Sequence, residues 1–372
     1  MTPRVALIGA GGHGASHRRT LARLAAEGRL KVAGLCDREP VEAPDAPFFT
    51  DHNALLAEVR PDVVIICTPP HTHLPIALDA LTAGADLLLE KPPVMSLDEH
   101  HRLAAEVAET GRLCQVGFQA LGSAALAALI AAGPTGPIGV LGAWWRPDTY
   151  YSRAPWAGRR AVGGRPVLDG ALVNPFAHAL MQALVIAGPG FRPVTLELER
   201  YRTRAIETDD TTFLRVTGTD GRRITLAVTL ASEVFLAGEI RVGRPPGEAA
   251  LEYPTDRLRL PGSPFREVPG RAGLLENLLD HRDDPAVELL APLERTEVFT
   301  AVAEAIVRSE PPVEIGGRWL RPHPAGGGQV LPGIDALVRQ VAETGELPSE
   351  AGVGWAVPAR RIGVRLGAYP AT

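Results

Sequence analysis

Over roughly the first 120 residues, short apolar runs alternate with amphipathic segments, and that alternation restricts the chain to very few folds. Apolar runs at 4–8, 31–36, 62–67, 86–89 and 113–117 read as strands. Segments 15–27, 74–83 and 97–110 carry apolar residues at helical spacing between them. Strands joined through helices run parallel, because a parallel neighbour needs a long crossover connection. The first strand leads into Gly9-Ala10-Gly11-Gly12-His13-Gly14, immediately before the first helix. In such a loop Gly9 permits the tight turn, Gly11 lets the backbone approach a pyrophosphate, and Gly14 lets helix and strand pack closely. Free N–H groups and the dipole at the helix start favour an anion there, with Gly12 and His13 beside it.

Asp37 ends the second apolar strand, 23 residues past Gly14. A carboxylate there accepts ribose hydroxyls and repels a 2′-phosphate, which favours NAD. Arg38 beside it can hold that phosphate, so NADP stays possible. Thr68-Pro69-Pro70-His71-Thr72-His73 follows the third strand and Glu90-Lys91-Pro92 the fourth, both at the carboxyl edge where such sheets bind ligands. Thr68 offers a hydroxyl to a cofactor and Pro69 stiffens the loop. His73 either reaches the cofactor or enters the next helix. Lys91 is one of only two lysines among 38 Lys and Arg residues. A compact ammonium that can shed its proton differs from the always-charged guanidinium accepted elsewhere in the chain. It can hydrogen-bond a substrate hydroxyl and stabilise negative charge on oxygen, with Glu90 orienting it. Gln119 follows the fifth strand and places an amide near the domain junction.

Beyond 133–137 the pattern changes to long alternating stretches at 140–146, 194–204, 211–217 and 223–230, then shorter ones at 239–242 and 249–253. Thr219-Asp220-Gly221 reads as a hairpin turn, and helices at 274–279, 293–308 and 334–344 close the chain. The expected fold class is an α/β Rossmann domain, residues 1–121, followed by an α+β domain with an open, mostly antiparallel sheet, residues 122–372. A net charge of −5 argues against nucleic acid as a partner. No apolar run approaches the ~20 residues of a membrane span. The N-terminal residues enter a strand at once and leave no room for a signal peptide. The three cysteines, Cys36, Cys67 and Cys114, lie in or beside apolar runs, which suits a reducing, cytoplasmic setting.

Taken together, the motifs Gly9–Gly14, Thr68–His73, Glu90-Lys91-Pro92 and Val116-Gly117-Phe118-Gln119 resemble the Gfo/Idh/MocA family of NAD(P)-dependent oxidoreductases, in the family's order and spacing. The resemblance implies a nicotinamide cofactor, a sugar, cyclitol or related polyol as substrate, and Lys91 as the family's lysine. It also implies assembly into dimers or tetramers through the outer face of the second-domain sheet. The family's second-domain signature matches best at Gly170-Ala171-Leu172-Val173-Asn174-Pro175-Phe176-Ala177-His178, with His178 as the proton carrier. Spacing of four puts Asn174 and His178 on one helical face if the helix includes both. Pro175 equally suits a first helical position, which makes Asn174 an N-cap. Many members have aspartate at the Asn174 position, and Asp169 could supply the missing carboxylate.

The loop at 144–156 holds three of the five tryptophans and two of the five tyrosines. Flat aromatic faces suit a sugar ring, so Tyr151 and Trp156 join Gln119, Asn174, His178 and Lys91 as substrate contacts. No metal is expected. The reading is hydride transfer between a secondary alcohol (or ketone) and the nicotinamide. Two alternatives remain: an enzyme that recycles bound cofactor to cleave glycosides, and a non-catalytic dinucleotide sensor.

Overall fold

In the computed structural model, which describes residues 2–41, 46–167, 169–364 and 366, the chain divides into two compact units. One comprises Met1–Phe118 with Gly273–Thr300, the other Gln119–Ala272 with Ala301–Thr372. A stretch that a single cut at 121 would leave with the second domain thus returns to the first. Gln115 shows what anchors it: its buried side-chain amide donates to Leu274 O (2.6 Å) and accepts from Ala291 N–H (3.0 Å).

The first unit contains one parallel sheet in the order β3-β2-β1-β4-β5-β6. Its strands are β1 (Arg4–Ile8), β2 (Lys31–Cys36), β3 (Phe48–Phe49), β4 (Val63–Ile66), β5 (Asp86–Leu89) and β6 (Cys114–Val116). The helices are α1 (Gly14–Ala26), α2 (His52–Val59), α3 (His73–Thr82) and α4 (Leu97–Thr110). The buried run of four residues in β4 and again in β5 is what a sheet covered on both faces requires. β3 and α2 went unread in the sequence, because a two-residue strand has no period to detect. Strand order reverses between β1 and β4, so the loops after those strands diverge and open a crevice at the carboxyl edge.

The second unit is built on a larger, ten-stranded mixed sheet. Its central strand, β7 (Ile138–Trp145), pairs antiparallel with Ala231–Val242 and parallel with Arg223–Thr229. Beyond Arg223–Thr229 the sheet continues antiparallel through Thr211–Gly218 to Pro193–Arg202. In the expected hairpin turn only Gly221 takes a positive φ (78°), so Asp220 stays in ordinary backbone space and the turn is not the doubly left-handed type. The remaining helices are α5 (Ala124–Ala131), α6 (Ala177–Ala187), α7 (Leu274–Asp283), α8 (Glu297–Arg308) and α9 (Ile334–Thr344), with α7 in the first unit.

Both faces of β7 are covered from within the chain. A Cβ on Gly142 would lie 2.1 Å from the ring of Phe176, the residue capping α6. One on Gly139, which points to the opposite face, would lie 2.1 Å from Ala342 O in α9. Leu141 and Ala143 share that second face and pack in one cluster with Ile334, Val338, Val341 and Ala342 of α9.

Candidate functional site

The glycine loop after β1 is fixed by close backbone approach. Gly9 has φ +90°, and a Cβ there would lie 2.3 Å from Cys67 O, at the end of β4. A Cβ on Gly14 would lie 1.9 Å from Gly9 O. Neither position tolerates a side chain, which is how β1, β4 and the start of α1 come together at the strand-order switch. Asp37 closes the loop from the other side. Its carboxylate accepts Gly11 N–H (2.7 Å) at Oδ2 and Arg38 N–H (2.7 Å) at Oδ1. Each oxygen keeps a second lone pair for a hydroxyl. Gly12 (φ +50°) and the Arg38 side chain are exposed. These are the features that admit a dinucleotide: a turn too tight for side chains, a helix N-terminus and a half-buried carboxylate.

Glu90 is the hub of the next part. It follows β5 with its side chain 8% exposed, and Oε1 lies 2.9 Å from His17 Nε2 and 3.6 Å from His13 Nε2. Its Oε2 accepts the backbone N–H of Lys91 (3.1 Å). Burial alone would raise the carboxyl pKa, but hydrogen bonds from both histidines hold it far below the usual range. The same contact raises the pKa of His13, against burial and the nearby Lys91 charge. Gly117 makes the space: a Cβ there would lie 2.7 Å from Glu90 Oε2. Lys91 is half-buried beside this anion. The ligand atoms of His13, His17 and Glu90 fall within 4.8 Å of one another, a grouping the reading of the sequence did not foresee. From the sequence alone His13 and His17 only flank the helix start, with no catalytic role for either; the spacing of four between His17 and His13, the N-cap residue of α1, was the available signal for their pairing.

His73 does not reach the surface of the loops. It opens α3, is 1% exposed, and places Nδ1 2.9 Å from Pro92 O and Nε2 2.8 Å from Thr68 O. It is a strut between the Thr68-Pro69 loop and the Lys91-Pro92 loop. Burial lowers its pKa, while the Thr68 and Pro92 carbonyls pull the other way. Thr68 Oγ1 accepts from Thr72 Oγ1 (2.8 Å), and Pro69 is exposed.

In the second unit, Gln119 opens a short 3₁₀ turn (Gln119–Gly122). α6 begins at Ala177 with Phe176 at its N-cap, so His178 is in the first turn but Asn174 is outside the helix. The expected shared helical face and the Asn174 cap are therefore both corrected. The cause is tertiary: Gly170 has φ +128°, and Asp209 binds Ala171 N–H through its Oδ2 (3.0 Å) and through its own carbonyl (3.2 Å). That anchor keeps 171–176 in turns. The Asn174 amide instead donates to Asp169 Oδ1 (2.9 Å), while Asp169 Oδ2 accepts Gly158 N–H (2.7 Å). Asp169 thus ties the aromatic loop to the segment leading into His178. Within that loop Tyr151 Oη is buried and has no hydrogen-bond partner, and burial raises its pKa. Trp156 lies under the Arg153 guanidinium, 4.6 Å from its centre.

Residues 3–118 match the family model described as "Oxidoreductase family, NAD-binding Rossmann fold" of the Gfo/Idh/MocA type. Inositol 2-dehydrogenase of Paracoccus denitrificans is 32% identical over 125 residues, which is 32% of this chain and 37% of that protein. D-glucoside 3-dehydrogenase of Escherichia coli is 29% identical over 122 residues, 31% of this chain and 34% of that one. The chain therefore spans little more than a third of the curated relatives it matches. The fold likeness extends further. The crystal structure of the WlbA dehydrogenase from Bordetella pertussis, in complex with NADH and UDP-GlcNAcA, matches with TM-score 0.68 and 21% identity, covering 83% of this chain and 96% of that one. At that identity the likeness of the whole chain to solved structures is one of fold alone.

Proposed function

We propose that the protein is an NAD-dependent oxidoreductase acting on a secondary alcohol, or the corresponding ketone, of a sugar, cyclitol or related polyol. The observation that carries this reading is the ordered set at the carboxyl edge of the Rossmann sheet: the closed Gly9–Gly14 turn, Asp37 on Gly11, and half-buried Lys91 beside Glu90, whose pKa its histidine partners lower. The names of the matched relatives, inositol and glucoside dehydrogenases, support the substrate class. Asp37 favours NAD over NADP, because a 2′-phosphate would face a carboxylate whose Oδ2 is already fixed on the loop.

The cofactor, when bound, supplies the hydride acceptor and donor. The chain's own groups do the rest. Gly9, Gly11, Gly12, His13 and Gly14 form the dinucleotide turn, Thr68 and Pro69 the neighbouring loop, and His73 holds that loop to the lysine loop. Lys91 polarises the reacting oxygen, and Glu90 holds the Lys91 backbone beside it. His178 takes up or returns the hydroxyl proton, with Gln119, Tyr151, Trp156 and Asn174 as substrate contacts. Cys36 and Cys114 are buried thiols, in keeping with a cytoplasmic protein. No helix among the described residues is long and apolar enough to cross a membrane.

A panel of polyols with NAD⁺ and NADP⁺, followed by nicotinamide absorbance, tests the reading. Turnover that falls at least about a hundredfold in Lys91→Ala supports it. Unchanged turnover in that variant removes Lys91 from the chemistry. Glycoside cleavage without net NADH would favour the recycling alternative.

A further inference from the structure

The aromatic loop of the second unit is also an arginine array. On β7, Gly142 and Trp144 point to the α6 side: a Cβ on Gly142 would meet Phe176, and the Trp144 and Phe176 rings lie 4.2 Å apart. Arg146 continues that face one residue beyond the strand. Its guanidinium sits 4.9 Å over the Trp144 ring and 5.4 Å from the Tyr150 ring. On the other side of Tyr150, Arg153 lies 3.7 Å over the ring and reaches Asp169 Oδ1 at 3.5 Å. Asp169 holds Asn174, and Asn174 leads through the turn to Phe176. Arg146, Tyr150, Arg153, Asp169 and Asn174, joined back through Phe176 and Trp144, therefore form a ring of contacts just ahead of α6.

The charges in this ring do not cancel. Asp169, 3% exposed in its side chain, spends its oxygens on Gly158 N–H and Asn174 and meets Arg153 only at the longer distance. A third arginine, Arg204, is neutralised by Asp210 (3.2 Å) and Asp148 (3.1 Å). Arg146 makes no ion pair among the described residues; its side chain makes a long contact, 3.5 Å, to Trp145 O and a hydrogen bond with the Tyr150 hydroxyl. A half-buried guanidinium has five N–H donors, so with those two contacts made it still has donors to offer a planar or tetrahedral anion. The buried Tyr151 Oη, with no partner, adds a further donor to the same loop.

We propose that this ring is an anion subsite: the substrate is a sugar-like polyol carrying a carboxylate or phosphate, bound by Arg146 with Arg153 in support. The assignment rests on the oxidoreductase reading above and names its substrate class. Arg146 sets specificity; it has no part in the hydride or proton step.

The test compares D-glucuronate, D-glucose 6-phosphate and neutral D-glucose as substrates of the purified full chain with NAD⁺, for the native protein, Arg146→Gln and Arg146→Lys. NADH binding, followed by fluorescence, checks that each variant is folded. At least one anionic sugar is expected to exceed glucose in kcat/KM by about tenfold or more. Arg146→Gln should collapse that ratio through KM, and Arg146→Lys should restore part of it. Which anion is preferred tells carboxylate from phosphate. Glucose equal to or better than both anions, or a loss in Arg146→Gln that is the same for all three sugars, overturns the subsite and leaves the oxidoreductase reading standing. If none of the three is oxidised although NADH binds, calorimetric titration with the two anionic sugars decides: binding lost in Arg146→Gln supports the subsite, and no binding to the native protein overturns it.

Discussion

Gly117 shows how much one residue can settle. Its missing side chain makes room for the Glu90 carboxylate, which a Cβ would approach to 2.7 Å at Oε2. Nothing in the local sequence demands glycine through backbone conformation, since no positive φ is involved. Gly117→Ala is therefore expected to act through Glu90, pushing it off His17 and the Lys91 backbone. Overpacking of this kind costs about 1–3 kcal/mol, and thermal denaturation would read it. NADH affinity should fall in parallel; a variant of native stability and native affinity would show that Glu90 moves freely. His73 makes a complementary case. His73→Ala removes the strut between the Thr68 and Pro92 carbonyls and leaves a cavity in a site that is 1% exposed. A loss of about 2–4 kcal/mol is expected, with weaker NADH binding, because both cofactor loops lose their common support. Equal stability in urea titrations would refute the strut.

At the scale of elements, legibility followed the local period. β1, β2, β5, α4 and α9 begin and end where the apolar pattern says they should, because each is long enough for its period to show and each faces a continuous core. α6 departed from its pattern for a reason no local rule contains: Asp209, distant in sequence, pins Ala171 and delays the helix past Asn174. The contact between His17 and Glu90 is likewise tertiary, joining α1 to the end of β5, so the hub of the candidate site could be read only as separate motifs. α4 carries a measurable consequence of packing. His100 on it is 0% exposed, touches Thr300 Oγ1 at 3.3 Å, and has its pKa lowered to about 4, by burial first and the charge of His101 second. A histidine with a depressed pKa stabilises the fold above its unfolded value of 6.5, and that stability is lost as pH falls toward 4. The full effect is on the order of 3 kcal/mol. Between pH 7 and pH 4.5, stability measured by urea should drop more in the native protein than in His100→Gln. Parallel pH profiles would mean that His100 is solvated.

At the scale of the whole molecule, the second-unit sheet raises the question of self-association. The resemblance implies assembly through the outer face of such a sheet, and an antiparallel sheet with one apolar face bare does need a partner. Here the centre of the sheet is covered on both sides by its own chain. Phe176 and α6 lie against Gly142 and Trp144, and α9 lies against Gly139, Leu141 and Ala143. Val338 and Val341 of α9 are fully buried in that contact, and Arg215 clasps Glu350 (2.7 Å) just beyond the helix while also pairing with Glu197 on the sheet (2.8 Å). A second copy could use this face only by displacing α9 and exposing the cluster beneath it, which costs more than a standard interface returns on the same area. The full chain is therefore expected to sediment as a monomer of 39.5 kDa at micromolar concentration. A stable dimer would point to the edge strands or to loops. Hydrogen exchange then separates the cases: protection of β7 and α9 that is independent of concentration keeps α9 as the intramolecular cover, whereas protection of α9 that falls on dimerisation means that it is exchanged for the partner.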